Sequence, residues 1–464
     1  MSGNACNIKN NEIVKTYHSP RISSEFCDCS LPLTFDFYSQ CGFNCQYCFS
    51  AQFAQNNPAV KGNVNSTGIG AVNVKKLIEV MSGKYPDNPY YQNFYKHRFI
   101  LHIGGLTEPF CTLEAKHGRC YELLEYLADV KYPTVFSSKG YCLFLNNKKY
   151  KKYHKLFENN AKYKNFMFAH SIIVDSDKTA SKIEPNTPST TKRIESMQTL
   201  SDFGYWNILR LRPFVIGVSN IGLENMMNRC AKAGAKAIST EFFALDARCA
   251  NLLGANMKEI DKLTGFNTYD YLKRLSPTER GGYMRGNRDM KESYVKRMYK
   301  VCLDTGMQFN VSDPDYKELG MSGSCCGLPS EYPENPEMCN YTKGQLTHHL
   351  AELRKRYWAS GGKDKYLTFD MVEKDIANNW MEDPRYYGDS IKCWQIDYSI
   401  KTGHKQEMMD TWNNVRSAAN PRNYFHGMLI PVGVDDRDMI IYEYSPKPYE
   451  YRWAKEGLFP EVKI

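Results

Sequence analysis

Three cysteines within eight residues are the clearest chemical signal in this sequence. Residues 41–48 read Cys-Gly-Phe-Asn-Cys-Gln-Tyr-Cys, so that Cys41, Cys45 and Cys48 have CxxxCxxC spacing directly after a strand-like segment. Clustered thiolates favour zinc or iron–sulfur clusters. Because a structural zinc site usually takes four protein ligands, three thiols on one loop favour a [4Fe–4S] cluster with one iron left open. A zinc knuckle and plain reduced cysteines are the alternatives.

The open iron determines which chemistry such a cluster would do. It could chelate the amino and carboxylate groups of S-adenosylmethionine (SAM), and an electron from the cluster would then break the sulfonium bond to give a 5′-deoxyadenosyl radical. The cofactor would carry the difficult chemistry, while the protein supplies position and exclusion of water. The aromatic neighbours Phe43, Tyr47 and Phe49 would shield the cluster.

A second group of thiols occurs much further along the chain. Cys325 and Cys326 are adjacent, and Cys339 follows them. Three interpretations remain open: a thiol pair that quenches a radical, ligands of an auxiliary cluster, or structural zinc. Cys27 and Cys29, before the first strand, could supply a further ligand. We expect Cys325 and Cys326 to act in catalysis, and a second metal site near Cys325, Cys326 and Cys339 is the alternative.

The elements that position these residues form an alternating series of strands and helices. Apolar runs typical of strands occupy residues 32–40, 99–105, 133–139, 166–174, 206–215, 237–244 and 307–312. Helical spacing of apolar residues follows around residues 74–81, 194–204, 223–234 and 293–303. Asn73 can cap the first of these helices. Six or seven successive strand–helix units predict a parallel sheet with right-handed crossovers, and their number favours a full or partial (β/α) barrel.

The same series sets the expected domain organisation. We expect an N-terminal extension at residues 1–30, an α/β barrel core at 31–315, and a Cys-containing segment with a C-terminal α+β accessory domain at 316–464. The last region carries helix-like stretches at 345–358 and 369–380 and a strand-like one at 439–444. In a barrel of this kind the C-terminal ends of the strands carry the site.

The cysteine motif after the first strand of an α/β series resembles the radical SAM superfamily. Over roughly residues 30–315 the chain is most similar to the spore photoproduct lyase and DNA-photolyase-like group. After the second strand it reads Gly-Gly-Leu-Thr-Glu-Pro. The resemblance implies that Gly104, Gly105, Thr107 and Glu108 bind the SAM amino group, and a carboxylate with a hydroxyl acceptor suits an ammonium.

Further residues at strand ends extend the resemblance. Lys139 follows the third strand in a Ser-Ser-Lys segment and, as a point charge, would meet the SAM carboxylate. Ser171 would be a ribose- or carboxylate-binding residue. Arg212 would contact SAM or an anionic substrate, and Glu241 is a candidate catalytic residue. For Arg212 and Glu241 a structural role is the alternative. Residues 184–193 also resemble the middle part of the sequences of this group.

One position departs from the group. Spore photoproduct lyases carry a cysteine hydrogen donor two residues before their Ser-Asp pair, and the matching position in this chain is Gly105. Either another residue returns the hydrogen atom, or the reaction differs from photoproduct repair.

Charge and aromatic residues bear on the substrate. The 60 basic and 51 acidic side chains give a net charge of +9, which suits an anionic partner but does not locate a site. Residues 147–155 interleave five lysines with Tyr150 and Tyr153, and residues 348–358 are a second basic, aromatic stretch. Such stretches can bind phosphates and stack on unpaired bases, although a solvated helix face also accounts for them.

These features together predict a radical SAM enzyme, a lyase or modifying enzyme, that acts on a nucleic-acid base or nucleotide in repair or modification. SAM and an electron donor of flavodoxin or ferredoxin type are the expected partners. A peptide or small-metabolite substrate is the first alternative, and a zinc-stabilised nucleic-acid-binding protein without enzymatic activity is the second. With no apolar signal segment at the first residues and no apolar run of roughly 18 residues, the sixteen cysteines are expected in the reducing cytoplasm, away from membranes.

Overall fold

A computed structural model describes most of the chain. The described residues are 12–22, 30–31, 33–48, 50, 69–246, 257–276, 283–313, 316, 319–322, 324–338, 350, 353, 365–379, 406, 408–415, 420–424 and 429–444.

The strands within these residues are numbered in chain order. They are β1 (Ile13–Tyr17), β2 (Arg21–Ile22), β3 (Leu33–Phe35), β4 (Ile69–Val72), β5 (Leu101–Ile103), β6 (Thr134–Ser138), β7 (Phe166–Ser171), β8 (Trp206–Phe214), β9 (Ala235–Phe242), β10 (Ala244–Asp246), β11 (Tyr283–Arg285), β12 (Gln308–Val311), β13 (Tyr366–Leu367), β14 (Leu429–Val434) and β15 (Ile440–Tyr444).

The α-helices are numbered in the same way. They are α1 (Val74–Met81), α2 (Thr112–His117), α3 (Arg119–Asp129), α4 (Tyr141–Leu145), α5 (Lys151–Asn160), α6 (Asp177–Ile183), α7 (Thr190–Asp202), α8 (Leu223–Lys232), α9 (Lys258–Thr264), α10 (Thr268–Leu275), α11 (Arg288–Thr305), α12 (Phe369–Asn379) and α13 (Pro421–Tyr424).

One eight-stranded sheet organises the fold. Its strand order is β12-β9-β8-β7-β6-β5-β3-β2, and every pair from β3 to β12 is parallel. Only β2 runs antiparallel, beside β3 at the edge of the sheet. Since β12 and β2 are not paired, the sheet is an open, partial barrel. The predicted α/β class with parallel strands is confirmed.

Local sequence explains why the elements begin and end where they do. Asn73 caps α1 as predicted, because its side chain accepts a hydrogen bond from Lys76 N at 3.0 Å. Asn287 caps α11 in the same way through Met290 N at 3.0 Å. Gly306, at a φ of 75°, ends α11 in a conformation that a β-carbon disfavours.

Apolar side chains on the outer face of the sheet pack against the helices in two clusters. Phe136 and Phe168 belong to the cluster on the β3–β7 side. Leu209, Ile238 and Phe309 belong to the cluster on the β8–β12 side. These side chains alternate along each strand with residues that face the barrel interior, so the interior is available for polar groups.

Two predicted strands are shorter than their apolar runs suggest. The runs at residues 32–40 and 99–105 contain only the three-residue strands β3 and β5. The chain leaves the sheet early because Asp36 accepts hydrogen bonds from loop amides and Gly104 adopts a φ of 89°. The parallel pair β1–β4 and the antiparallel pair β10–β11 were not predicted.

The C-terminal part forms a small antiparallel sheet in the order β13-β15-β14. It has its own apolar cluster, which includes Phe369, Trp412 and Tyr442. Helix α12 and strand β15 agree with the predicted helix at 369–380 and strand at 439–444. The predicted helix at 345–358 lies outside the described residues except for positions 350 and 353.

Two further predictions concern membrane-spanning helices and the domain boundaries. No described helix has the length and apolar character that crossing a membrane requires. The division into residues 1–30, 31–315 and 316–464 stays a prediction. Cys326, Leu328 and Met338, which lie beyond residue 315, pack in the apolar cluster of the sheet and not in the C-terminal cluster.

Candidate active site

The residues singled out in the sequence lie along one edge of the sheet. The cysteine loop follows β3, the Gly-Gly-Leu-Thr-Glu-Pro loop follows β5, and Lys139 follows β6. Ser171 ends β7, while Arg212 and Glu241 lie near the ends of β8 and β9. Because the C-terminal ends of parallel strands meet at the same edge, these side chains converge there.

A segment between α6 and α7 holds the cysteine loop in place. Gln46 N donates to Ile183 O at 2.9 Å, and Asn186 Nδ2 donates to Gly42 O at 2.9 Å. Within the loop, Cys48 N donates to Cys45 O at 3.2 Å and closes a turn. The loop is therefore anchored on both sides of Cys45 by a part of the chain about 140 residues away in sequence.

A buried ion pair between Arg193 and Glu184 stabilises this segment. Arg193 Nη2 lies 2.6 Å from Glu184 Oε2, and both side chains are almost completely buried, with exposures of 1% and 0%. The Tyr47 hydroxyl donates to Glu184 Oε1. Burial by itself raises the pKa of Glu184, but the positive charges of Arg193 and Lys139 outweigh it and leave that pKa below its usual range. The Tyr47 side chain is thus fixed within the cysteine loop, between Cys45 and Cys48 in sequence.

The role of residues 184–193 was missed in the sequence, although the segment was noticed. Arg193 Nε donates to Pro188 O at 2.8 Å, and Arg193 Nη1 donates to Ser171 O at 3.0 Å. The guanidinium also donates to the Thr187 hydroxyl. An arginine with this many internal partners is a structural support of the site, and no local sequence signal distinguishes it from a surface arginine.

The three motif thiols are suited to an iron–sulfur cluster by their chemistry. Burial raises the pKa of Cys41 well above its usual value and that of Cys45 to about 12. Cys45 interacts electrostatically with Cys48 and with Lys139, and Cys41 interacts with Cys45. Metal binding requires the deprotonated thiolates, whose negative charge the nearby lysine would offset.

Metal ligation itself stays a prediction for both cysteine groups. Among the described residues, no three His, Cys, Asp or Glu side chains are grouped as a metal site. A second metal site near Cys325 and Cys326 gains no support from the structure. Cys27, Cys29 and Cys339 lie outside the described residues.

Lys139 brings a positive charge to the cysteine loop. Its Nζ lies 5.6 Å from the centroid of the Tyr47 ring. Burial by itself lowers the pKa of Lys139, but negative charge at Cys45 and Glu184 outweighs it and raises that pKa. The ammonium therefore stays protonated beside the motif thiols, where an anionic group of a ligand would meet it.

The carboxylate of Glu108 joins the ends of β5 and β6. It is 7% exposed, and it accepts hydrogen bonds from Phe110 N at 3.0 Å, Lys139 N at 2.8 Å and the Ser138 hydroxyl. Burial raises the pKa of Glu108 above its usual value. Among the described residues, its Oε2 accepts a hydrogen bond only from Lys139 N, so this oxygen keeps acceptor capacity for a ligand.

Asp36 is a site-forming residue that the sequence analysis missed. Its Oδ1 accepts hydrogen bonds from Leu106 N and Thr107 N, both at 2.8 Å. The Thr107 hydroxyl donates to Tyr38 O at 2.8 Å. These bonds shape the loop after β5 and leave the lone pairs of the Thr107 hydroxyl as acceptors. An acidic residue directly after the first strand was the available signal.

Both glycines of the loop after β5 are required by close packing. A β-carbon at Gly104 would lie 2.2 Å from Ser137 O, and one at Gly105 would lie 2.1 Å from Thr34 Cγ2. Every other residue type, cysteine included, would clash at Gly105 with this backbone. The absence of a hydrogen-donor cysteine at this position therefore has a steric reason.

Cys325 and Cys326 lie against the inner face of β8 and β9. Ser239 Oγ donates to Cys325 O at 2.8 Å, and Arg212 Nη2 donates to the same carbonyl. Two residues further along the chain, Gly327 O accepts a hydrogen bond from Trp206 Nε1 at 3.1 Å. The structure thus brings the second thiol group to the strands that carry Arg212 and Glu241.

The two thiols of this group are neighbours in space. Cys325 Sγ and Cys326 Sγ are 3.8 Å apart. Gly327 has a φ of 83°, and a β-carbon there would lie 2.7 Å from Ile208 Cγ2. The glycine lets the backbone approach β8 closely, which holds the pair inside the partial barrel.

Arg212 and Glu241 form a loose contact. Arg212 Nη1 lies 3.8 Å from Glu241 Oε2, and Arg285 Nη2 lies 3.7 Å from Glu241 Oε1. Ser171 is 6% exposed, and its carbonyl is used by Arg193. The ligand contacts predicted for Ser171, Arg212 and Glu241 stay predictions.

The lysine-rich stretch at residues 147–155 contains one misinterpreted residue. Tyr153 was expected to be able to stack on a base, but its side chain is only 1% exposed and donates to the buried carboxylate of Glu114. It lies on the inner side of α5 with Phe157, one turn further on. That interpretation of Tyr153 is wrong. The second basic stretch, residues 348–358, lies outside the described residues apart from positions 350 and 353.

A parallel sheet with helices on its outer face and a polar site at its strand ends defines the protein as an α/β partial barrel. No protein-family model matches the chain, and no curated protein matches it. Among solved structures, a point mutant of spore photoproduct lyase matches with 13% identity and a TM-score of 0.47, covering 66% of this chain and 83% of the other.

Two further solved structures are also similar. A second point mutant of spore photoproduct lyase has 12% identity and a TM-score of 0.45, with 64% of this chain and 80% of the other covered. A double mutant of that enzyme with bound AdoMet and dinucleoside spore photoproduct has 13% identity and a TM-score of 0.43, with 66% and 83% covered. The predicted resemblance to this group agrees with these matches. At this degree of similarity the function has to be argued from the residues of the chain itself.

Proposed function

We propose that this chain is a radical SAM enzyme that repairs or modifies a nucleic-acid base or nucleotide. One observation carries the proposal: three thiols share an anchored loop at the C-terminal edge of a parallel sheet, with the Lys139 ammonium next to Cys45. Soft thiol ligands beside a fixed cation suit a cofactor that combines a metal cluster with an anionic ligand group.

The cysteine loop is the proposed site of the cluster. Cys41, Cys45 and Cys48 would hold a [4Fe–4S] cluster, which when bound supplies the electron that cleaves SAM to the 5′-deoxyadenosyl radical. Tyr47, fixed by Glu184, would cover the loop and exclude water from it.

SAM itself would be held by the three neighbouring strand ends. Lys139 would donate to its carboxylate. Glu108 Oε2 and the Thr107 hydroxyl, which keep acceptor capacity, would accept from its ammonium. Gly104 and Gly105 would let the backbone come close, and Ser171 would contact the ribose or the carboxylate.

We assign the return of a hydrogen atom to the substrate to the thiol pair. The S–H bond of Cys325 or Cys326 would break and a C–H bond of the substrate would form, leaving a thiyl radical beside the second thiol. The 3.8 Å separation of the two sulfurs and their position on the inner face of β8 and β9 support this role. Glu241, 3.8 Å from Arg212, would move a proton there.

The remaining parts of the proposal concern the partners and the domains. An electron donor of flavodoxin or ferredoxin type would reduce the cluster. The small C-terminal sheet would serve as an accessory domain that helps to expose a base, because an enzyme that acts on a base in a duplex must take it out of the stack.

The test is SAM cleavage by protein reconstituted with iron and sulfide without oxygen. The protein is reduced with dithionite and given SAM, and 5′-deoxyadenosine is measured with and without DNA, RNA and nucleotides. We expect formation that one of these substrates stimulates. Cys45→Ala should abolish it, whereas Cys302→Ala, which changes a buried thiol on α11, should retain it.

Two outcomes contradict different parts of the proposal. If the wild-type protein forms no 5′-deoxyadenosine, the radical SAM assignment fails. If it forms 5′-deoxyadenosine that none of the nucleic acids or nucleotides stimulates, the substrate assignment fails, and a peptide or a small metabolite takes its place.

A further inference from the structure

The inner face of the sheet carries polar side chains where a barrel interior is usually filled by branched apolar ones. Ser171, Arg210, Ser239 and Asn310 are paired across β7, β8, β9 and β12. Paired residues of neighbouring strands point to the same face of a sheet. Ile208 and Arg212, two residues to either side of Arg210, contact the 325–327 segment, so this layer faces the partial barrel's interior.

The guanidinium groups of Arg210 and Arg212 belong to this inner face, and the exposed Arg21 lies at its β2 edge, paired with Thr34. Burial, followed by the positive charges of Arg210, Arg21 and Arg212, holds the pKa of His102 well below its usual range. His102 is therefore neutral, and its Nε2 lies 2.8 Å from Ser137 Oγ. Thr34, the strand partner of Arg21, is also paired with His102, so these side chains lie on the same face of the sheet.

The carboxylates near these arginines do not balance them. Glu241 is shared at 3.8 Å by Arg212 and at 3.7 Å by Arg285, distances too long for good hydrogen bonds. Asp36, which interacts with Arg21, already accepts two backbone amides. Among the described residues, neither carboxylate forms a close ion pair with Arg210 or Arg212.

Arg210 differs from Arg212 in its contacts. Within the part of the chain that the structure describes, its guanidinium has no hydrogen bond or salt bridge, whereas Arg212 donates to Cys325 O. Burial and the charge of Arg212 lower the pKa of Arg210. Arg210 is half-buried, so a ligand can reach its guanidinium donors, and an anionic ligand would supply the missing partner.

We infer that Arg210 and Arg212 bind a phosphate group of the substrate inside the partial barrel, beside the thiols of Cys325 and Cys326. A guanidinium presents a planar fork of donors that matches two phosphate oxygens. The inference rests on the proposed function and deepens it, since it places the phosphate of a nucleotide or of a nucleic-acid strand at the hydrogen-donating thiols.

The test compares charged and uncharged ligands in equilibrium binding to the reconstituted protein at fixed ionic strength. One arm uses a short single strand with phosphate linkages and the same strand with uncharged methylphosphonate linkages. The other arm uses nucleoside 5′-monophosphates and the corresponding nucleosides. We expect the phosphate form to bind about tenfold to a hundredfold more tightly in one arm, and that arm identifies the source of the phosphate.

Variants assign the preference to Arg210. Arg210→Gln should remove most of the preference for the phosphate form, with Arg212 keeping the remainder, and should leave the affinity for the uncharged form unaffected. Arg210→Lys should keep part of the preference, because it retains the charge but not the fork. Arg274→Gln removes the same charge from an exposed position on α10 and should keep the full preference.

Three results would overturn the inference. The first is equal binding of the phosphate and uncharged forms in both arms. The second is a preference for phosphate that is undiminished in Arg210→Gln. The third is an equal loss of affinity for both ligand forms in Arg210→Gln and in Arg210→Lys. Failure here is separable from failure of the proposed function. If the wild-type protein cleaves SAM but binds phosphate and uncharged ligands equally, only the phosphate site is refuted. If it binds the phosphate form more tightly but does not cleave SAM, only the radical chemistry is refuted.

Discussion

Replacing Arg193 by methionine should destabilise the support of the cysteine loop. The change removes the charge and keeps a long apolar side chain, so the volume lost in this buried place is small. The Glu184 carboxylate, 0% exposed, would lose the guanidinium that lies 2.6 Å away. The carbonyls of Pro188 and Ser171, which accept from Arg193 at 2.8 Å and 3.0 Å, would lose a donor.

The expected magnitude follows from the burial of the pair. Removing one partner of a buried ion pair leaves an uncompensated charge, which costs about 3–5 kcal/mol. We therefore expect the Arg193→Met variant to lose about 4 kcal/mol of the free energy of unfolding. With a urea dependence of about 1–3 kcal/mol per molar for a domain, the unfolding midpoint should fall by more than 1 M.

The pH dependence of this loss has a defined sign. In the wild type the pKa of Glu184 is lowered, so its contribution to stability is present above the unfolded pKa of about 4.3 and is lost as the pH falls through the folded pKa. Arg193→Met removes the largest cause that lowers this pKa, so the pKa of Glu184 rises in the variant. Protonation then relieves the uncompensated charge, and the gap between wild type and variant should narrow as the pH falls from 7 to 5.

The assay is a urea titration followed by intrinsic fluorescence. Arg229→Met is the matched control, because Arg229 pairs with Asp175 at 2.7 Å with exposures of 32% and 21%, and a part-exposed pair contributes about 1 kcal/mol or less. The double variant Glu184→Gln with Arg193→Met should recover part of the loss. A loss no larger than that of the control, or a double variant as unstable as the sum of the single ones, would refute this reasoning.

Three further changes have defined outcomes. Burial lowers the pKa of His170 to about 4, so its contribution to stability is present above about pH 6.5 and is lost toward pH 4. In urea titrations over a pH series, the free energy of unfolding of the His170→Asn variant should fall by about 3 kcal/mol less between pH 6.5 and pH 4 than that of the wild type. Gly105→Ala should cost about 1–3 kcal/mol in thermal unfolding because its β-carbon would meet Thr34, whereas Gly433→Ala, in open space, should cost little; equal costs would refute the packing argument. Lys139→Met should weaken SAM binding in equilibrium dialysis by about tenfold or more, and an unchanged affinity would remove Lys139 from the SAM site.

Much of the sheet could be predicted from local sequence. The apolar runs at residues 133–139 and 166–174 contain β6 and β7, because buried strands are rich in apolar residues and each of these two ends at polar ones. The cap of α1 at Asn73 was predictable for the same reason, since capping depends on residues within one turn.

The site was predictable only where its residues are neighbours in sequence. The cysteine loop is recognisable from its spacing, but its anchor at Ile183 and Asn186 depends on contacts between distant parts of the chain. The hydrogen bonds that hold residues 325–327 on the inner face of the sheet could not be predicted either, since their donors lie on β8 and β9, far away in the sequence. The interpretation of Tyr153 was wrong because the lysines around it lie on the solvent-facing side of α5, whereas Tyr153 lies on its buried side.

The central claim is that Cys41, Cys45 and Cys48 hold a [4Fe–4S] cluster with one open iron. Iron, sulfide and zinc should be measured per chain after reconstitution without oxygen, with electron paramagnetic resonance of the reduced protein before and after SAM is added. The claim predicts about four iron and four sulfide per chain, a signal that SAM changes, and loss of the iron in Cys45→Ala. A colourless, iron-free wild-type protein with zinc bound to these cysteines would contradict it.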